Sequence, residues 1–336
     1  MPVQRKHVFI IIRYSILTSS GKGWKLAERD FLEYKNKLFD PLRLAERLNI
    51  FMKVTLPSLK SMRVPADIKR TILIITSDQL PLKAFHELES ATNSFHDISI
   101  IKASPNDLDI GKVVKHEIQA ELSSYEDKSN DVCIATVRLD DDDALIPDYL
   151  INLCDYIALA YAGFVVSFPL GWIAEIDDAN QLLFNNLFML NQPKIALGLA
   201  YINIYSFEKE LFYDQSKSNV YELGNHEYVG IMRPVICDSR APSYLRTTHQ
   251  SNDSKIGDSH HHLIHARIDD FMNSFKDCFS RDMIKDDIID NEIIDKKALR
   301  IEHMKSTREF GARREIKERL KHCKWELRVL REERRK

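Results

Sequence analysis

The chain has no long apolar run: no window approaches the roughly 18 apolar residues that a membrane-crossing helix needs. Its first apolar stretch, Val8 to Ile12, follows a polar Met1 to Lys6 and is too short for the core of a secretory signal. The expectation is a cytoplasmic chain, at most peripheral to the inner face of a membrane. Cysteine is scarce as well. Cys133, Cys154, Cys237, Cys278 and Cys323 are odd in number, widely spaced and without a CxxC pair. That argues against a disulfide framework or a zinc ribbon and points to reduced thiols. Nor does one sign of charge dominate, since 48 Lys plus Arg face 50 Asp plus Glu, for a formal net charge of -2. Such a balance exerts no general pull on nucleic acid, and no nucleic-acid partner is expected. Thr18 to Gly23 invites a phosphate-loop reading but lacks the G-x-x-x-x-G-K-[ST] spacing, which excludes a Walker motif. No internal repeat or low-complexity linker is present.

What is there is a globular composition, 44% hydrophobic and 29% charged over 336 residues, enough to bury a large core. The first half alternates β-branched runs with amphipathic stretches. Val8–Ile12, Ile72–Thr76, Ile98–Lys102 and Val132–Val137 read as strands. Arg43–Met62 reads as a helix interrupted or ended near Pro57, Gly111–Tyr125 as a helix, and Pro147–Ala160 as a helix with proline in its first turn. This alternation predicts an α/β fold, a Rossmann-type nucleotide-binding sheet with ligands at the carboxyl ends of its strands. Gly163–Pro169, Gly171–Ile176, Gln181–Leu190 and Ala196–Tyr205 are closely spaced strand candidates, so the second half is expected to be mixed and more antiparallel. From about Ile284 the sequence is charged and helix-favouring, ending in the Arg- and Lys-dense Arg313–Lys336 with Trp325 among a few apolar residues. The expected division is a domain over 1–283 and a charged helical extension over 284–336. That extension is either a solvated helix on the domain or a basic helix for an anionic membrane or a partner.

The strongest local signal is Thr136-Val137-Arg138-Leu139-Asp140-Asp141-Asp142-Asp143-Ala144. Four carboxylates directly follow an apolar strand, where the sheet points into the ligand crevice. Like charges this close raise one another's pKa unless a cation neutralises them. Oxygen ligands of this kind suit Mg²⁺ or Mn²⁺, with substrate phosphates completing the coordination. That chemistry fits nucleotide-sugar transfer, in which a leaving nucleoside diphosphate gathers negative charge. Either Asp140/Asp142 or Asp141/Asp143 could supply a D-x-D pair, and an acidic turn or a structural Ca²⁺ loop are the competing readings.

Several separated segments resemble the bacterial rhamnosyltransferase family, whose members look like GT-A glycosyltransferases. They are His7-Val8-Phe9-Ile10-Ile11-Ile12-Arg13-Tyr14, Arg47-Leu48-Asn49-Ile50-Phe51, Thr55-Leu56-Pro57-Ser58-Leu59, Val137 to Leu145, Gly224-Asn225-His226, and Thr248-His249-Gln250-Ser251-Asn252. The Arg-Leu-Asp-Asp-Asp-Asp-Ala run is the most specific of these. The resemblance implies a GT-A-like domain with Arg13 on the diphosphate or ribose and Tyr14 on the base, although core packing serves Tyr14 equally. It also puts Asp78 on base or ribose, against a plain cap, and Arg138 on phosphates or as an ion pair to the cluster. Asp140 and Asp141 would meet the nucleotide. The metal set would be Asp141, Asp142 and Asp143 with His249 as a further ligand, and His226 as its competitor. His260, His261, His262 and His265 read as a polar loop, because adjacent histidines do not converge on one ion from regular structure.

A base for the acceptor hydroxyl is sought among Glu175, Asp177, Glu227 and Asp238, with Asp238 and Glu227 first; a retaining mechanism would need none. The implied partners are a nucleotide-diphosphate sugar and a glycan or glycolipid acceptor. The other classes are a metal-dependent phosphohydrolase or nucleotidyltransferase, and a non-catalytic nucleotide-sugar-binding scaffold.

Overall fold

The apolar run after the polar terminus forms β1 (Arg5–Tyr14), a strand buried on both faces, as a β-branched sequence flanked by parallel neighbours should be. The computed structural model describes residues 5–18, 31–105, 109–176, 182–249, 264–265 and 267–285. After β1 come α1 (Phe31–Leu38), α2 (Pro41–Ile50), α3 (Leu56–Ser61), β2 (Ile68–Ser77), α4 (Leu82–Thr92), β3 (Ile98–Ala103) and α5 (Ile110–Ser123). Next are β4 (Val132–Asp140), β5 (Ala144–Leu145), α6 (Tyr149–Cys154), β6 (Val165–Ser167), β7 (Leu170–Ile176), β8 (Phe184–Asn191) and β9 (Ala200–Ser206). The last are β10 (Leu211–Phe212), α7 (Val229–Met232), β11 (Val235–Cys237), β12 (Tyr244–Thr248), β13 (Ile264–His265) and α8 (Ile268–Ser274).

Among the described residues these strands build two sheets. The larger runs β11-β6-β9-β4-β1-β2-β3, with β10 on β9; the smaller runs β13-β8-β7-β12-β5. Strands β1 to β4 of the larger sheet are parallel, and β9 runs antiparallel to β4 and β6. The fold is therefore α/β, as the alternation predicts. The mixed second half divides between the sheets, and its β7 and β12 pair in parallel.

Alternation along β1 feeds two cores. Val8, Ile10, Ile12 and Tyr14 join one, while Phe9 and Ile11 join the other with Val114, Ile118 and Leu122 of α5. His7 lies under the second face, fully buried. One ring nitrogen is 2.9 Å from Thr71 Oγ1, the other 2.9 Å from the Tyr125 hydroxyl, and the ring stacks on Phe9. Burial, with a smaller contribution from Lys69, pulls its pKa down to about 3.

Two helices differ from expectation. The Arg43–Met62 stretch starts earlier, at Pro41, because Asp40 caps the amides of Leu42 and Arg43 at 3.0 Å and proline suits the first turn. It then widens into a π-helical turn, Phe51–Thr55, and resumes as α3 with Pro57 in that helix's first turn, where a missing amide costs little. Pro147–Ala160 yields α6 and, after a break, the start of a 3-10 turn over Leu159–Tyr161. The end of α6 tightens when the Tyr156 amide bonds the Leu153 carbonyl at 2.9 Å, and the Tyr156 hydroxyl is drawn to Asp238 at 2.9 Å.

Cys133, Cys154, Cys237 and Cys278 are free thiols. The larger of the chain's two units comprises Met1–Asp258 and Leu263–Ile289. The other unit, and with it the expected terminal helix, Cys323 and Trp325, lies outside the described residues, as do Asp177 and His260 to His262. No helix among the described residues is long and apolar enough to cross a membrane.

Candidate active site

The register of the parallel pair β1–β4 sets Arg13 beside Asp140 at the carboxyl ends of both strands. Strand alternation points Arg13 and Arg138 to the same face, where Tyr221 lies 5.7 Å from one guanidinium and 5.6 Å from the other. Arg13 Nη2 donates to Asp140 Oδ1 at 2.7 Å, and Arg138 lies 3.8 Å from the same carboxylate. Partial burial alone would raise the Asp140 carboxyl, but the two guanidiniums hold it below the usual carboxylate range.

The following turn is shaped by three elements. Asp143 N bonds Asp140 O at 3.3 Å, closing the turn, and β5 then leaves into the smaller sheet beside β12. From β12, Thr247 donates its amide to Asp143 Oδ1 (2.9 Å) and its hydroxyl to the Asp142 carbonyl (2.5 Å). From the π-helical turn, the Thr55 hydroxyl lies 3.0 Å from the Asp141 carbonyl and 2.9 Å from that of Asp143. One turn earlier, on α2, Arg47 clamps Asp141 through two nitrogens and stands 3.8 Å from Asp142. Asp141 is 1% exposed. Burial pushes its carboxyl up, with Arg47 opposing; burial and the neighbouring Asp142 and Asp140 push Asp143 well up.

Asp142 has a different partner. His249, just after β12, brings Nε2 to 3.1 Å from Asp142 Oδ2, and the imidazole is 2% exposed. Burial would raise Asp142, yet the hydrogen bond from His249 and the charge of Arg47 bring it below its ordinary value. The four metal candidates Asp141, Asp142, Asp143 and His249 are thus not brought together as one set. Arg47 takes Asp141 and the Thr247 amide takes Asp143, leaving the Asp142–His249 pair. Among the described residues no three His, Cys, Asp or Glu side chains converge for a metal. Asp142 lines the cleft and His249 stands behind it, outside the lining, so the pair fits Mg²⁺ or Mn²⁺ as one carboxylate backed by an imidazole, with substrate phosphates completing the coordination. A cation would replace the proton that the two side chains share.

The turn opens on a cleft of about 390 Å³. Five arginines line it (Arg13, Arg43, Arg47, Arg138 and Arg246) with five carboxylates, Asp140 to Asp143 and Glu227. Ser15, Thr18, Gln192, Ile195 to Leu197 and His226 also line it. Ser15 sits in the left-handed region at φ 46°, is 6% exposed, and its hydroxyl has no hydrogen-bond partner among the described residues. A strained residue holding a buried, unspent hydroxyl at a cleft wall is placed to meet a ligand.

Other candidates fall elsewhere. Tyr14 is 1% exposed, packs edge-on against Phe51 and does not line the cleft; burial raises its phenol, and core packing accounts for it. Asp78 follows β2 on the exposed surface, its amide bonded to the Ala103 carbonyl, and is not part of the lining. Asp238 is engaged by Arg240 and Tyr156 away from the lining; the Arg240 hydrogen bonds hold its carboxyl low. Glu175 lies beside Thr248 at a register shift between β7 and β8 and does not line the cleft either. Sequence reasoning missed Ser15, Arg43, Arg47 and Arg246. Arg43 and Arg47 carried a usable signal, being one turn apart on one helix face that ends at the acidic turn.

The family model described as "Putative rhamnosyl transferase" matches residues 7–261. No curated protein matches the chain. Among solved structures, a mannosyltransferase from Pyrobaculum calidifontis in complex with GDP-Man and Mn²⁺ is 12% identical with a TM-score of 0.33; the match takes in 75% of this chain and 59% of the mannosyltransferase. The inositol-1-phosphate CTP transferase from T. maritima is 9% identical with a TM-score of 0.30, over 76% of this chain and 93% of its own. With its matched region running from β1 through the acidic turn to the segment beyond His249, the chain belongs to the rhamnosyl transferase family and, through it, to the glycosyltransferases.

Proposed function

We propose that the protein moves a sugar from a nucleoside diphosphate donor to a hydroxyl of a glycan or glycolipid acceptor, in the making of a cell-surface polysaccharide. Rhamnose is the sugar that the family's description supplies. The observation that carries the reading is the arrangement at the end of β4, where Arg13 and Arg138 hold Asp140 and the neighbouring Asp142 on the cleft wall is paired with His249. A diphosphate brings negative charge to a wall that already carries Asp140 and Asp142, and a divalent cation entering with it would offset part of that charge. Asp142 and His249 would hold that Mn²⁺ or Mg²⁺, which supplies positive charge to the diphosphate as it leaves. Arg13 and Arg138 are positioned to orient the phosphates, and the Ser15 hydroxyl to bond the nucleotide. Arg47 keeps Asp141 neutralised and the turn in shape. The transferred sugar forms a bond to the acceptor oxygen as its bond to the diphosphate oxygen breaks, and that electron pair departs with the nucleotide.

The basic stretch Arg313–Lys336 supports a peripheral contact with the inner membrane face, where a lipid-linked acceptor would be met. The test of the donor site is thermal unfolding with UDP, GDP and dTDP, each with Mn²⁺ or with EDTA. A diphosphate at about 100 times its dissociation constant adds roughly 2.7 kcal/mol, read as a metal-dependent rise in Tm. No rise with any of the three in Mn²⁺ would refute the donor site.

A further inference from the structure

We infer that His226 is the general base that takes the proton from the acceptor hydroxyl. The inference rests on the reading above, that the cleft carries sugar transfer, and adds the residue that sequence reasoning sought among carboxylates. His226 lines the cleft beside Glu227, whereas Asp238 and Glu175 do not.

The tautomer is set by the backbone. His226 Nδ1 lies 2.7 Å from the carbonyl oxygen of Lys194. A carbonyl only accepts, so Nδ1 carries the proton, and in the neutral ring Nε2 is the basic nitrogen. A base whose far nitrogen is fixed by a third group is the arrangement that general-base catalysis by histidine uses.

The orienting group is itself held with unusual care. Lys194 adopts φ 60°, a left-handed conformation that disfavours residues with a side chain. Three hydrogen bonds offset that strain. The Lys194 amide donates to Ser167 Oγ at 3.0 Å, its carbonyl accepts from His226, and its ammonium donates to the Glu227 carbonyl at 2.9 Å. The other side of the turn is closed by Asn225, whose side chain accepts from the Glu227 amide at 3.0 Å and whose carbonyl accepts from the Tyr228 amide at 3.0 Å. A strained lysine that bonds the imidazole through its carbonyl and the adjoining Glu227 carbonyl through its ammonium fits a site that must hold that ring still. These bonds tie the 192–197 loop to the 226–228 turn, and both line the cleft.

The step balances as a single displacement. The acceptor O–H proton passes to Nε2 and its oxygen pair forms the bond to the anomeric carbon. The bond from that carbon to the diphosphate oxygen breaks, with the pair leaving on the phosphate. The imidazolium then gives its proton to water. This route inverts the anomeric configuration.

The test uses the full chain with Mn²⁺, a panel of UDP-, GDP- and dTDP-linked sugars including dTDP-rhamnose, and octyl glycosides as acceptors, read as nucleoside diphosphate release. His226→Asn keeps a donor for the Lys194 carbonyl but has no basic nitrogen. The expected result is a fall in kcat of about 10² to 10⁴-fold, donor KM and the diphosphate melting shift within about twofold, and partial rescue by added imidazole. The unchanged melting shift also shows that the variant is folded, and His226→Gln repeats the test if His226→Asn is not. Turnover within about threefold of the natural chain would overturn the inference. So would loss of diphosphate binding in step with turnover, a larger loss at Glu227→Gln, or retention of anomeric configuration. If the natural chain transfers nothing from any donor, the parent reading falls and takes this one with it. If the natural chain transfers and His226→Asn does too, this inference alone falls.

Discussion

Replacing His7 with Gln should remove about 2 kcal/mol of acid sensitivity from the protein's stability between about pH 7.5 and pH 5. In the folded chain, burial holds the His7 pKa near 3, whereas in the unfolded chain it returns to about 6.5. The folded value is the lower one, so the neutral ring stabilises the fold fully above about pH 6.5, and that contribution is lost as the pH falls toward about 3. At about pH 5 the unfolded chain has gained a proton that the folded chain refuses, at about 1.4 kcal/mol per unit over about 1.5 units. Gln can still donate to one hydroxyl and accept from the other, Thr71 and Tyr125, but does not titrate over this range. The assay is urea unfolding of both chains at the two pH values. The natural chain should lose about 2 kcal/mol more on acidification than the His7→Gln chain. Equal losses would refute the reasoning, because they would mean that His7 titrates alike in the folded and unfolded states.

Asp142→Asn and His249→Gln should each abolish the Mn²⁺-dependent Tm rise with nucleoside diphosphate, measured by differential scanning fluorimetry, while Asp238→Asn should leave it in place. Arg47→Met leaves the 1%-exposed Asp141 without its partner and should cost about 3–5 kcal/mol by chemical denaturation. The double variant Arg47→Met/Asp141→Leu should regain most of that loss. Gly171→Ala would bring a methyl to 2.3 Å from the buried Tyr244 ring and should destabilise the chain by about 1–3 kcal/mol. The same ring lies on β12, which ends one residue before His249, so weaker metal-dependent diphosphate binding should accompany that loss. Deleting residues after about 310 should lower co-sedimentation with anionic vesicles, and unchanged recovery would remove the membrane role of the tail.

The parallel half of the larger sheet was legible because β1, β2 and β4 are buried on both faces along most of their length and so read as apolar runs, while the edge strand β3 still carries three isoleucines. β1, β2, β3 and β4 extend past their expected apolar cores by up to four residues at one end or the other, where polar residues such as Arg13 and Asp140 continue the ladder. The helix expected over Pro147–Ala160 was not legible in its true length. Just past its end Tyr156 bonds Asp238, a contact of long sequence separation that local periodicity does not show. Likewise, spacing marked Asp140 to Asp143 as a cluster but said nothing of their separate roles. Asp78 and Tyr14 illustrate the opposite error, since position after a strand does not say whether a side chain meets the cleft, the solvent or the core.

By itself the sequence determined the α/β class, the place of the acidic turn at a strand's end, and the family, because these depend on local periodicity and contiguous residues. The tertiary structure alone decided which carboxylate is spent on an arginine and which is left to a histidine. Arg47, Thr55, Thr247 and His249 reach the turn from a helix, a π-helical turn and a strand of the second sheet, and only packing sets those distances. It also decided the tautomer of His226, which is written in the carbonyl of a residue far away in sequence and in no feature of the histidine's own neighbours.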